Sequence, residues 1–148
     1  MNTSKKKPIV FVGHSCKAAD RSVISLLMKT ISSSKIKIVS DEQPEAKGIG
    51  EKIRRRIDSS DVFIGIFTRR HLIRENNTWT TSPWIVEEKG YSLGQNSKRP
   101  IILIVEDGVP IPTEIGGLEG DLEYLVFDRT RMPETQKRLR EILRSLSL

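Results

Sequence analysis

The sequence predicts an α/β domain built on a parallel sheet, and three observations predict it. Short apolar runs alternate along the chain with stretches of helical period. Two of the runs, Asp61–Thr68 and Pro100–Val105, are apolar on both faces, as strands covered by helices on each side must be. The 148 residues fit one domain at roughly 100–200 residues each.

Each element has its own signal. Asn2–Lys7 is polar and basic, so residues 1–7 are expected to form a disordered tail before a single domain over 8–148. Ile9–Gly13 is a β-branched run and reads as the first strand. Ala18–Ile31 carries Val23, Ile24, Leu27, Met28 and Ile31 at spacings of three and four, one face of a helix. Ile36–Val39 is a second short strand, and Asp41–Gly50 is a loop with Pro44 and Gly48. Ile49, Ile53 and Ile57 recur every four residues along a basic helix. Asp61–Thr68 is the third strand. Ser82–Leu93 is a helix with Ser82 as N-cap and Pro83 at its first position, where the missing N–H costs nothing. Pro100–Val105 is the fourth strand, Val109–Gly120 a Pro/Gly-rich loop and Leu122–Phe127 a fifth strand. Pro133–Leu146 closes the chain as a helix with Leu139, Ile142 and Leu146 on one side. Right-handed crossovers turn this order into a flavodoxin-like, doubly wound five-stranded parallel sheet of order 2-1-3-4-5, with helices on both faces.

Composition removes several classes. Leu, Ile, Val and Phe make about 29% of the chain, above the roughly 20% below which a charged sequence stays disordered. No apolar run approaches the roughly 18 residues of a membrane span, so no membrane partner is expected. The single Cys16 excludes an internal disulfide and fits a reducing cytoplasm. With His14 and His71 as the only histidines, no metal site is expected. The net charge of +6 suits any anionic partner and does not choose among them.

Ligands of such sheets sit outside the carboxyl ends of the strands. The segments placed there are Gly13-His14-Ser15-Cys16, Ser40-Asp41-Glu42, Thr68-Arg69-Arg70, Glu106-Asp107 and Asp128. One glycine in Gly13-His14-Ser15-Cys16-Lys17 is too few for a phosphate-cradling P-loop or a dinucleotide fingerprint. A phospho-acceptor domain wants acidic residues after the first strand and an aspartate ending the third; Gly-His-Ser and Thr68 stand there. On the helix Ser82–Leu93, the residues Trp84, Glu88 and Tyr91 form a stripe at i, i+4, i+7. One account makes Glu88 a surface carboxylate paired with a lysine or arginine. The other puts it at the cleft rim, where a carboxylate beside an aromatic ring holds a ribose and stacks a base.

In this order and spacing the residues resemble the Toll/interleukin-1 receptor (TIR) domain, from Ile9 to Leu146, in its bacterial catalytic form. The carrying motifs are Phe11-Val12-Gly13-His14-Ser15, then Ile53, Ile57, Ser60 and Asp61 leading into Val62–Phe67 and Thr68, then Ser82-Pro83-Trp84-Ile85-Val86-Glu87-Glu88. Arg69–Thr81 is longer and more polar than the family's usual connection.

The resemblance implies hydrolysis of NAD+ at its nicotinamide–ribose bond, in intracellular immune or defence signalling. It implies Glu88 as the catalytic carboxylate, Trp84 as a pocket wall, and His14, Ser15 and Thr68 as further substrate-binding residues. An anionic carboxylate stabilises the oxocarbenium-like centre that forms as the bond breaks. Nicotinamide leaves from a cationic ring, so NAD+ is substrate and no cofactor is implied. Self-association is also implied, through an assembly loop that includes Glu42, Pro44, Gly48 and Ile49. A non-catalytic adaptor acting by TIR–TIR contacts is one alternative. A nucleoside or nucleotide N-glycosidase, or a deoxyribosyltransferase, is another. Since 148 residues leave no room for a built-in sensor, a separate sensor or effector protein, or a longer parent protein, is expected. Arg54-Arg55-Arg56 and Lys5-Lys6-Lys7 are expected on solvated faces, and with 5% aromatic residues no nucleic-acid partner is expected.

Overall fold

A computed structural model describes residues 6–33, 35–40, 50–81, 99–110 and 122–148. Its main sheet has five parallel strands: β1 (Ile9–Gly13), β2 (Lys37–Val39), β3 (Val62–Phe67), β6 (Ile101–Glu106) and β7 (Leu122–Phe127). They lie in the order β2-β1-β3-β6-β7. This is the expected 2-1-3-4-5 topology, with β6 and β7 as its fourth and fifth strands. All pairs are parallel; Gly13 faces Gly65, and Phe67 faces Val105.

Period-two alternation divides the apolar strand residues between two cores. On one face Val10, Val12, Ile64, Ile66, Ile102, Ile104, Leu125 and Phe127 meet α1 (Arg21–Ile31) and α3 (Met132–Ser145). Val23, Ile24, Leu27 and Ile31 come from α1, and Leu139, Ile142 and Leu143 from α3. On the other face Phe11, Phe63, Phe67, Ile101, Leu103 and Val105 join Ile53 and Ile57 of α2 (Glu51–Asp58). Phe11 and Phe63 stack there with ring centroids 5.8 Å apart. Gly65 leaves these rings their space: a Cβ on it would lie 2.9 Å from Phe67 Cε2 and 3.2 Å from Phe63 Cε1.

The Ser60-Asp61 step has a structural use. Ser60 Oγ donates to the Ile57 carbonyl at 2.6 Å, satisfying the end of α2. The Asp61 carboxylate accepts the Ile9 amide at 2.8 Å, and the Asp61 amide donates to the Ile9 carbonyl at 2.7 Å. The entry to β3 is thereby locked to the start of β1.

Two details differ from the expected elements. The helix expected over Ala18–Ile31 begins as a 3₁₀ turn, Ala18–Asp20, before α1. The polar connection after Thr68 contains a two-stranded antiparallel hairpin, β4 (Leu72–Ile73) and β5 (Thr78–Trp79). Asn77 takes φ of 54° in its turn, a conformation asparagine tolerates. The Trp79 amide donates to the Gly108 carbonyl at 2.8 Å, which holds the hairpin against the turn after β6. No helix among the described residues is long and apolar enough to cross a membrane. The helix expected over residues 82–93 and the loop 41–49 lie outside the described residues.

Candidate functional site

The carboxyl ends of the strands bring the expected segments to one edge. Gly13 ends β1, Ser40 follows β2, Thr68 follows β3, Glu106 ends β6 and Asp128 follows β7. His14 and Ser15 are both buried where the chain leaves β1. His14 Nδ1 donates to the Ser15 carbonyl at 2.9 Å; a carbonyl only accepts, so this nitrogen carries a hydrogen.

At that edge two buried carboxylates share one partly exposed arginine. Asp20, at 2% exposure, accepts from Ser15 Oγ at 2.5 Å and from Thr68 Oγ1 at 2.8 Å on one carboxylate oxygen. Its other oxygen accepts from Arg129 Nη2. Arg129 also grips Glu106, Nε to one oxygen and Nη2 to the other, and donates from Nη1 to the Ala19 carbonyl at 3.1 Å. The Arg69 amide donates to Glu106 at 2.8 Å. One guanidinium and two carboxylates thus tie together the segments that follow β1, β3, β6 and β7.

Charge-assisted bonds of this kind are the strong ones. Burial pushes the Asp20 carboxyl upward, but the hydrogen bonds from Arg129, Ser15 and Thr68, with the Arg129 charge, outweigh it. The group is held below its ordinary value of 3.8. The bonds to Glu106, against the opposing effect of burial, and those to Asp20 raise the Arg129 pKa further above its usual range. This network cross-links the ends of four strands.

A cavity of about 600 Å³ opens beside the platform, inside the roughly 300–1,000 Å³ range of ligand pockets. His14, Ser15, Cys16 and Lys17 line it from β1 onward, and Ile38 and Ser40 from β2. Arg56 Nη1 donates to the Ser40 carbonyl at 3.0 Å and so braces the β2 end. From α1 come Arg21, Ile24, Ser25, Met28, Lys29 and Ser32 at its end. Three cations and no carboxylate stand among the described lining residues. No group of three His, Cys, Asp or Glu among the described residues is placed to hold a metal ion.

Of the substrate-binding residues expected from sequence, His14 and Ser15 therefore meet at the cavity. Thr68 lies below it with its hydroxyl turned to Asp20. Trp84 and Glu88, and the loop residues Glu42, Pro44, Gly48 and Ile49, lie outside the described residues. Sequence reasoning missed Asp20 and Arg129 altogether. It placed Glu106 at a strand end without giving it a partner. The available signal was a carboxylate closing a six-residue apolar strand, which needs a cation once buried.

Comparison with known proteins shows the family and the fold. The model of a family described as CAP12/Pycsar effector protein, TIR domain, matches residues 9–120. Among solved structures, the chain resembles a CMP N-glycosidase of Clostridium botulinum with a TM-score of 0.57 and 17% identity, over 88% of this chain and 97% of that one. It also resembles a diflavin flavoprotein A3 from Nostoc sp. with a TM-score of 0.62 and 11% identity, over 93% of this chain and 89% of the other. At these identities the likeness is one of fold. No curated protein matches the sequence at a significant level.

Proposed function

The chain belongs to the family of CAP12/Pycsar effector TIR domains, and from that footing we propose that it is a cytoplasmic NAD+ glycohydrolase acting in defence signalling. The observation that carries this reading is the cavity at the carboxyl end of β1, lined by His14 and Ser15 and by three cations. Such a lining attracts a dinucleotide pyrophosphate.

In this reading Glu88 is the catalytic carboxylate and Trp84 a wall of the pocket. The C–N bond between ribose and nicotinamide breaks and its electron pair leaves with the pyridine nitrogen. The positive charge that nicotinamide carried is transferred to the ribose C1′ as an oxocarbenium-like centre. The Glu88 carboxylate stabilises that centre where the charge develops, which is when electrostatic help lowers a barrier. Water adds to C1′ and loses a proton, giving ADP-ribose; attack by a ring nitrogen of the adenine instead gives the cyclic form. The leaving group departs neutral, so the chain needs no acid to protonate it. Self-association through Glu42, Pro44, Gly48 and Ile49 belongs to the same proposal, as does a separate sensor or effector protein.

Purified protein is incubated with NAD+ at rising concentration, with and without a crowding agent, and nicotinamide is followed by chromatography. The proposal expects release that Glu88→Ala abolishes. Absence of any Glu88-dependent release, with Glu88→Ala still competent in assembly, would leave an adaptor. The fold shared with a CMP N-glycosidase gives a second reading, in which the bond cleaved is that of a nucleoside monophosphate. A substrate panel with CMP beside NAD+ decides between them.

A further inference from the structure

The cavity is longer than the strand-end site requires. It runs as a groove between α1 and the edge strand β2, and one stripe of α1 forms its wall. Arg21, Ile24, Ser25, Met28, Lys29 and Ser32 follow one another at steps of three, one, three, one and three, the spacing of a single helix face. From Arg21 to Lys29 the wall extends about 12 Å, at roughly 1.5 Å per residue. Met28 belongs to the apolar face of α1, yet it is only partly buried, because the sheet ends at β2 and offers it no further strand. With Ile24 and Ile38 it makes an apolar floor, above which stand the exposed Arg21, Ser25, Lys29 and Ser32.

Taking the NAD+ reading above as its premise, we infer that this groove holds the adenosine diphosphate half of the dinucleotide. The adenine lies on Met28 and Ile38, the pyrophosphate lies against Arg21 and Lys17, and the nicotinamide riboside end reaches His14 and Ser15. Charge places the pyrophosphate: Lys17, Arg21 and Lys29 line the groove, with no carboxylate among the described lining residues. The anionic pyrophosphate is attracted by the same groups. The apolar floor accepts a purine face, and Ser25 and Ser32 offer hydroxyls to its polar edge and ribose.

ADP is the probe, titrated by calorimetry into the wild-type chain and into two variants. Met28→Trp fills the groove, and Lys29→Glu reverses a charge at an exposed position. Thermal denaturation checks both for folding. The inference expects ADP to bind the wild type and to bind each folded variant at least about tenfold more weakly. Two folded variants within about twofold of wild type, or a wild type that does not bind ADP, would overturn it. The same proteins assayed for nicotinamide release keep the two readings apart. Glu88-dependent release with ADP binding indifferent to Met28 and Lys29 leaves NAD+ cleavage standing and removes the groove. ADP binding that depends on both residues, without Glu88-dependent release, supports the groove as a nucleotide site and removes NAD+ cleavage.

Discussion

Replacing Arg129 with methionine tests the charge network directly. Methionine keeps the unbranched stem and removes the guanidinium that lies between Asp20 and Glu106. Those carboxylates have side-chain exposures of only 3% and 4%. Removing one partner of a buried ion pair costs about 3–5 kcal/mol, because the other is left desolvated. Arg129 itself is 30% exposed, so water reaches part of the gap and the lower end, about 3 kcal/mol, is expected. In a domain of this size each kcal/mol moves the melting point by about 2–4 °C, so the loss is about 6–12 °C at pH 7.

The pH response should also change. In the wild type the Asp20 pKa is held below 3.8, so its stabilising contribution is present above that pH and is lost as pH falls through the lower, folded value. Without the guanidinium, its hydrogen bond and its charge no longer lower the pKa, and only the bonds from Ser15 and Thr68 still oppose burial, so the folded pKa rises. The stability this group contributes above its unfolded value shrinks with the gap between the two pKa values, so the loss it causes in acid is smaller than in the wild type. Thermal and urea denaturation of both proteins from pH 7 down to about pH 2 measures this. A loss under about 3 °C at pH 7, with a pH dependence parallel to wild type, would refute the argument that Arg129 neutralises the cluster.

Three further outcomes follow from individual contacts. Thr68→Val keeps the shape but removes a donor to the Asp20 carboxylate, and should cost about 1.5–3 kcal/mol in urea unfolding. Gly65→Ala places a methyl 2.9 Å from the Phe67 ring in a packed core and should cost about 1–3 kcal/mol, read as a lower denaturation midpoint. If residues 42–49 mediate self-association, the wild type should show a concentration-dependent rise in sedimentation coefficient and Ile49→Asp should abolish it.

The fold was readable because its signals are local and repeated. Ile9–Gly13, Asp61–Thr68 and Pro100–Val105 are apolar on both faces, and Val23, Ile24, Leu27 and Ile31 mark one side of a helix. Burial enforces both patterns, so β1, β3, β6 and α1 lie within a residue or a few of where periodicity puts them. The hairpin β4–β5 was not readable, since strands of two residues are too short to show alternation. Its one cue is the Asn76-Asn77 pair between Leu72-Ile73 and Thr78-Trp79.

By itself the sequence determined the strand order, the edge at which the carboxyl ends of the strands gather, and the position of His14 and Ser15 there. Each follows from a period or from connection rules that act over a few residues. Only the tertiary structure decided that Ser15 and Thr68 share one aspartate. It also decided that Arg129, 109 residues from Asp20, closes the network, and that an open flank of α1 turns Met28 and Lys29 into a groove. These depend on which strand ends become neighbours and on where the sheet stops. Hydrophobic pattern carries that information for the chain as a whole, while a single buried charge shows its partner only when the distant segments meet.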